Sequence, residues 1–184
     1  MKPSLVGATF PISRFDSVGS NAPPAHELGH WYHMHPTKLL VVSQVHIFSI
    51  LALFPAFIHA PRFLRAFDFP EEVAAQTPTI LSFILFQMIL MPMEAVIGMA
   101  MNAISRRFEF EADRFACELQ HKLNSEEMKD MGDRLGTALI TLHVKNLSTV
   151  WVDWLYSAYH HSHPTLTERL KALEALQAAA KKTS

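Results

Sequence analysis

The sequence has 184 residues and 20.8 kDa, 49% of them hydrophobic and only 18% charged. An average soluble domain carries about 25% charged residues, and disorder needs low hydrophobicity with high net charge, so a disordered chain is excluded. Sixteen basic against seventeen acidic residues leave a net charge of −1, too little positive field to hold a nucleic acid backbone; the single Cys117 allows no internal disulfide and no cysteine-built zinc ribbon.

Residues 1–24 hold Pro3, Pro11, Pro23 and Pro24 among Gly, Ser and Asn, and read as irregular chain. The opening MKPSLVGATFPI is no secretory signal, because its apolar run is short and Pro11 interrupts it. A short helix is expected from Ala25 to about His35, with Pro36 where it ends or bends. Leu39 to Ala60 then contains no Asp, Glu, Lys or Arg over 22 residues. A helix of that length is about 33 Å long and crosses a hydrocarbon core of about 30 Å. Thr79 to Met101 is a second such run, with Glu94 as its one charge. Pro55 and Pro92 inside these spans kink rather than end them where neighbours satisfy the freed carbonyls. Between the spans, residues 61–78 form a short polar crossing with Arg62, Arg65, Asp68, Glu71 and Glu72.

Ser105 to Leu119 continues the second span as an amphipathic helix, Ser125-Glu126-Glu127 signals the start of another running to about Leu147, and further helices include Val150 to Tyr159 and follow Pro164. Leu166, Leu170, Leu173 and Leu176 recur at helical spacing in the last one. With no strand signal, the fold class is all-α: two membrane spans plus amphipathic helices. Two crossings return the chain to one side, so the segments around 26–35 and 105–119 meet there. Lys2, Arg14, Lys38, Arg106, Arg107 and Arg114 against Arg62 and Arg65 in the loop place that side in the cytosol.

His26-Glu27-Leu28-Gly29-His30 is an HExxH pattern. On a helix, positions i and i+4 lie about 5–6 Å apart on one face, so two imidazoles converge on one zinc ion. Glu27 falls beside them as a general base, taking a proton from water whose pKa the metal lowers to about 7 and passing it to the leaving amine. The pattern alone also fits solvated histidines at a helix end. A third ligand stands in Glu109-Phe110-Glu111-Ala112-Asp113: Glu109 and Asp113 share a face and Glu111 points nearly the other way. This selects Glu109 as ligand and leaves Asp113 to accept a hydrogen bond from the outer nitrogen of a zinc histidine. In Tyr159-His160-His161-Ser162-His163-Pro164, and at Arg169, stand candidate donors for a developing oxyanion, among which spacing does not choose. Glu94, His46 and His59 lie in or at the ends of the spans. An ionisable group such as Glu94 is costly there, and is expected near the interface or facing a wet cavity, while the two histidines have no evident partner.

AHELGHW (25–31), SRRFEFEADRFA (105–116) and NLSTVWVDWLYSAYHHSHPTLTERLKAL (146–173), with the two intervening spans, resemble the C-terminal part of the type 1 CAAX prenyl protease family. The resemblance covers roughly residues 25–175. It implies an integral membrane zinc metalloprotease of the endoplasmic reticulum and inner nuclear membrane, with one Zn2+ per chain, that removes the C-terminal tripeptide from prenylated CAAX proteins. Residue by residue it implies His26, His30 and Glu109 as zinc ligands, Glu27 as general base, Asp113 as supporting carboxylate, and His163 and Arg169 as groups that steady the substrate or transition state. His160 and His161 match no role. It also implies seven spans around a water-filled chamber, of which five would precede HELGH and are absent from this sequence; Pro23 and Pro24 there oppose helical extension. The expectation is a truncated product, with residues 1–24 irregular and 25–184 the catalytic part. The alternative is a non-catalytic membrane fragment that binds metal or a partner membrane protein, and a third reading is a soluble helical metal-binding protein.

Overall fold

Residues 22–24, expected to be irregular, are instead the start of a helix. In the computed structural model, which describes residues 22–123 and 130–183, α1 spans Ala22–Tyr32 with both prolines in its first turn, where a missing N–H leaves no helical bond unmade. Residues 1–21, expected to be irregular, lie outside the described residues. Met34 ends this segment in a left-handed conformation at φ 55°, which costs a side-chain-bearing residue about 1–2 kcal/mol. The chain is thereby redirected, and α2 (His35–Ile58) starts at once with Pro36 in its first turn.

The expected polar crossing contains two short helices, α3 (Pro61–Arg65) and α4 (Glu71–Gln76). The second span and its amphipathic continuation are one helix, α5 (Thr79–Leu123), of 45 residues. At about 1.5 Å per residue it is about 68 Å long, twice a hydrocarbon core, so the apolar part to Met101 crosses and the rest stands beyond. After it come α6 (Met131–Lys145), α7 (Trp154–His160) and α8 (Leu166–Thr183); the start expected at Ser125 lies outside the described residues. Every described element is helical.

Two cores hold the helices. One joins Phe63, Leu64 and Ala74 of α3 and α4 to Leu85 and Phe86 of α5, with Phe54 and Phe57 of α2 against it, at the far end of the spans. The other gathers Ala22 and Ala25 of α1, Ala116 of α5, Met131, Leu135 and Leu139 of α6, and Leu166 and Leu173 of α8. Between these ends the most apolar stretch of α2 has no buried residue, and Leu40, Val45, Phe48 and Leu51 face outward. A helix apolar all round and uncovered is built for lipid, not for the core of a soluble protein.

The last helix is fixed by Thr165-Leu166-Thr167-Glu168, a capping box. Glu168 Oε2 accepts from Thr165 N at 2.7 Å, and Glu168 N donates back to Thr165 Oγ1 at 3.3 Å. Arg106 of α5 clamps that corner, with Nη2 on both Glu168 oxygens at 2.7 and 2.8 Å and Nη1 on Ser157 Oγ at 2.8 Å and the His163 carbonyl at 3.3 Å. In the sequence Arg106 stands in the charge count and in the SRRFEFEADRFA motif, without a role.

Candidate metal centre

The centre forms where α1 crosses α5. Gly29 permits the crossing, because a Cβ there would stand 3.0 Å from Ala112 Cα and 3.1 Å from its carbonyl oxygen. At that separation one face of α1 presents His26 and His30 to Glu109, which α5 carries about 12 Å beyond the apolar end at Met101.

Three side chains converge: His26 Nε2 and His30 Nε2 lie 3.1 Å apart, and they lie 3.4 Å from Glu109 Oε2 and Oε1 respectively. Ligands about 2.0–2.1 Å from a tetrahedral zinc are separated by about 3.3 Å, so the set fits that ion. Among the described residues these three form the cluster able to hold a metal.

The outer nitrogen of His26 meets Asp113, with Nδ1 to Oδ1 at 2.9 Å. Asp113, 1% exposed, is held in turn by Arg169 of α8, whose Nε and Nη2 donate to its two oxygens at 2.9 and 2.5 Å. Arg169 Nη1 also lies 3.2 Å from Glu109 Oε2. The guanidinium therefore sits buried behind both carboxylates. His163, on the loop before α8, places Nδ1 3.0 Å from Glu109 Oε1, yet its side chain is 70% exposed. His35 at the head of α2 is 1% exposed and reaches the outer nitrogen of His30, Nδ1 to Nδ1 at 3.1 Å. His160 packs against Tyr156 and Tyr159 and His161 against Tyr156, away from the three ligand atoms.

Charges follow from these contacts. Burial works against the charged form of His26, but its hydrogen bonds to Asp113 and Glu109 prevail and raise it to about 9. His30 is lowered by burial and then by the positive His26 beside it. Burial pushes the Glu109 carboxyl up, whereas the His26 hydrogen bond and the Arg169 charge bring it down to about 2.

A cleft of about 1140 Å³ opens over the centre, lined by Glu27, His26, His30, Glu109 and His163, with apolar walls from Leu39, Leu135 and Leu139. Glu27 is exposed to it. Away from the cleft, His46 Nε2 lies 3.0 and 3.1 Å from the two Glu94 oxygens across the spans, so the partner each lacked in the sequence is the other.

The sequence model of peptidase family M48 matches residues 24–177, which contain every residue of this centre. The chain belongs to peptidase family M48. CAAX prenyl protease 1 of Saccharomyces cerevisiae is 40% identical over 160 residues, covering 82% of this chain and 33% of that protein. The CAAX prenyl protease 1 homolog of Homo sapiens is 39% identical over 153 residues, 83% of this chain and 29% of that protein. The crystal structure of S. mikatae Ste24p superposes with a TM-score of 0.62 at 37% identity, covering 86% of this chain and 36% of that one. This M48 chain spans about a third of the length of the curated relatives it matches. Its relatives and its two uncovered apolar helices make it an integral membrane protein.

Proposed function

We propose that this chain carries the catalytic centre of a zinc-dependent endopeptidase acting on prenylated CAAX proteins in the endoplasmic reticulum and inner nuclear membrane. The observation that carries the reading is the convergence of His26, His30 and Glu109 beneath a cleft that holds Glu27, about 12 Å past the apolar end of a span. His26, His30 and Glu109 would hold one zinc ion, whose chemistry when bound is to acidify water and polarise a peptide carbonyl.

The protein groups supply the rest. Glu27, exposed in the cleft and outside the ligand set, takes a proton from the attacking water and delivers it to the leaving amine. His163 has a side chain free enough to turn from Glu109 toward the substrate carbonyl oxygen, where a ring N–H stabilises developing negative charge. Asp113 fixes the His26 tautomer so that Nε2 keeps its lone pair, and Arg169 adds positive charge from behind the carboxylates. The apolar cleft walls beside the spans suit a peptide whose lipid tail stays near the bilayer.

The test is zinc content and prenyl-peptide cleavage on the same detergent-purified samples of wild type, Glu109→Ala and Glu27→Gln. Near-stoichiometric zinc is expected in wild type and in Glu27→Gln, with cleavage reduced about 10²–10⁴-fold in the latter. Glu109→Ala is expected to lose both. Zinc without cleavage in the wild type would instead favour the metal-binding fragment; no zinc would sink the reading.

A further inference from the structure

His30 is braced from behind. Its Nδ1 lies 3.1 Å from His35 Nδ1, His35 Nε2 lies 3.2 Å from Glu111 Oε2, and Glu111 Oε1 accepts from Arg107 Nε at 2.9 Å. The His35 ring is 1% exposed and stacks on Phe108 at 4.1 Å with 4° between planes, so its orientation is fixed. We propose that His35 and Glu111 are positioning residues for the metal ligand His30, forming a relay that sets its tautomer.

The proton assignment follows from the chemistry of each group. An ionised carboxylate only accepts, so Glu111 requires the His35 proton on Nε2. His35 Nδ1 is then bare and accepts, which requires the His30 proton on Nδ1. His30 Nε2 is left with a free lone pair, pointed at His26 Nε2 and Glu109. The two zinc histidines thus have separate supports. His26 is held by a carboxylate directly, through Asp113, and His30 at one imidazole's remove, through His35. Both supporting carboxylates, Asp113 and Glu111, come from α5, which also carries Glu109. Because His35 is the first residue of α2, the relay also ties the head of the membrane span to the metal ligand.

The proposal rests on the reading that His26, His30 and Glu109 take zinc. Its test is the zinc dissociation constant by competition with a chromophoric chelator, on the full chain in detergent, for wild type, His35→Leu, His35→Asn and Glu111→Gln. Loss of an outer-shell partner typically weakens metal binding about 10–100-fold, and that loss is expected for His35→Leu. His35→Asn puts an amide oxygen where Nδ1 stood and is expected to recover most of the affinity. Glu111→Gln is expected to fall between, since an amide both donates and accepts and no longer dictates the tautomer. The metal-free unfolding midpoint is read in parallel: a merely structural His35 would lower it without separating Asn from Leu in zinc affinity. Loss below about threefold in His35→Leu, or equal loss in Leu and Asn, overturns the relay. Should His35→Leu not fold, Glu111→Gln decides on the same threshold. Wild type that binds zinc with all three variants matching it sinks the relay alone, while wild type without zinc sinks the metal reading as well.

Discussion

His26 shows how a single residue's surroundings fix its chemistry. Its folded value of about 9 lies above the ordinary 6.5, so the protonated ring's contribution to the metal-free fold is complete below pH 6.5 and is lost as pH rises through 9. Zinc needs the neutral ring, and uptake near pH 7.5 is expected to release about one proton per chain from this site. Calorimetric titration in buffers of different ionisation enthalpy reads that number, and zero release would mean that His26 is already neutral. Arg169 makes the complementary case. Removing one partner of a buried ion pair costs about 3–5 kcal/mol, so Arg169→Met is expected to destabilise the chain by up to that scale, leaving His26 as the remaining counter-charge of Asp113. A denaturation midpoint unchanged from wild type would mean that water reaches Asp113. HExxH and the spacing of Glu109 and Asp113 were legible because helical periodicity alone puts those pairs on common faces. Arg106, His35 and the use of Glu111 were not, since each acts on a partner distant in sequence and on another helix, or on a neighbour whose geometry a bend decides.

Among the elements, α1 depends on one close approach. A methyl group at Gly29 meets the α5 backbone at 3.0 Å, and backbone does not yield as a flexible side chain does. Gly29→Ala is expected to cost about 1–3 kcal/mol of overpacking and to draw His26 and His30 off Glu109, lowering zinc content. Gly98→Ala, with nothing within 4 Å, is the matched control and is expected to keep its zinc. Metal analysis of the two purified variants separates the outcomes; equal zinc would show that α1 adapts. The long α5 was anticipated as a span with an amphipathic continuation, and the uninterrupted helix matches that reading. The boundaries of α1 and α2 were shifted because Met34, a residue with no turn signature, takes the left-handed conformation that separates them.

For the whole molecule, the polar centre lies beyond one end of the lipid-facing helices. The uncovered apolar face of α2 is expected to keep the protein in membranes through alkaline carbonate washing, with detergent needed to release it. Recovery in the wash would restore the soluble metal-binding reading. The sequence by itself determined the all-helical class and the two span-length apolar runs, and it pointed to the proposed ligand set with its base, because these depend on periodicity, run length and residue type within short windows. Only the tertiary structure decided what else supports that set: Arg169 behind Asp113, His35 and Glu111 behind His30, and Glu168 and Arg106 at the head of α8; away from the centre it also paired His46 with Glu94. Each of these contacts depends on how the chain bends and how its helices cross. Packing at Gly29 and the bend at Met34 set that geometry, and neither is written in a local pattern.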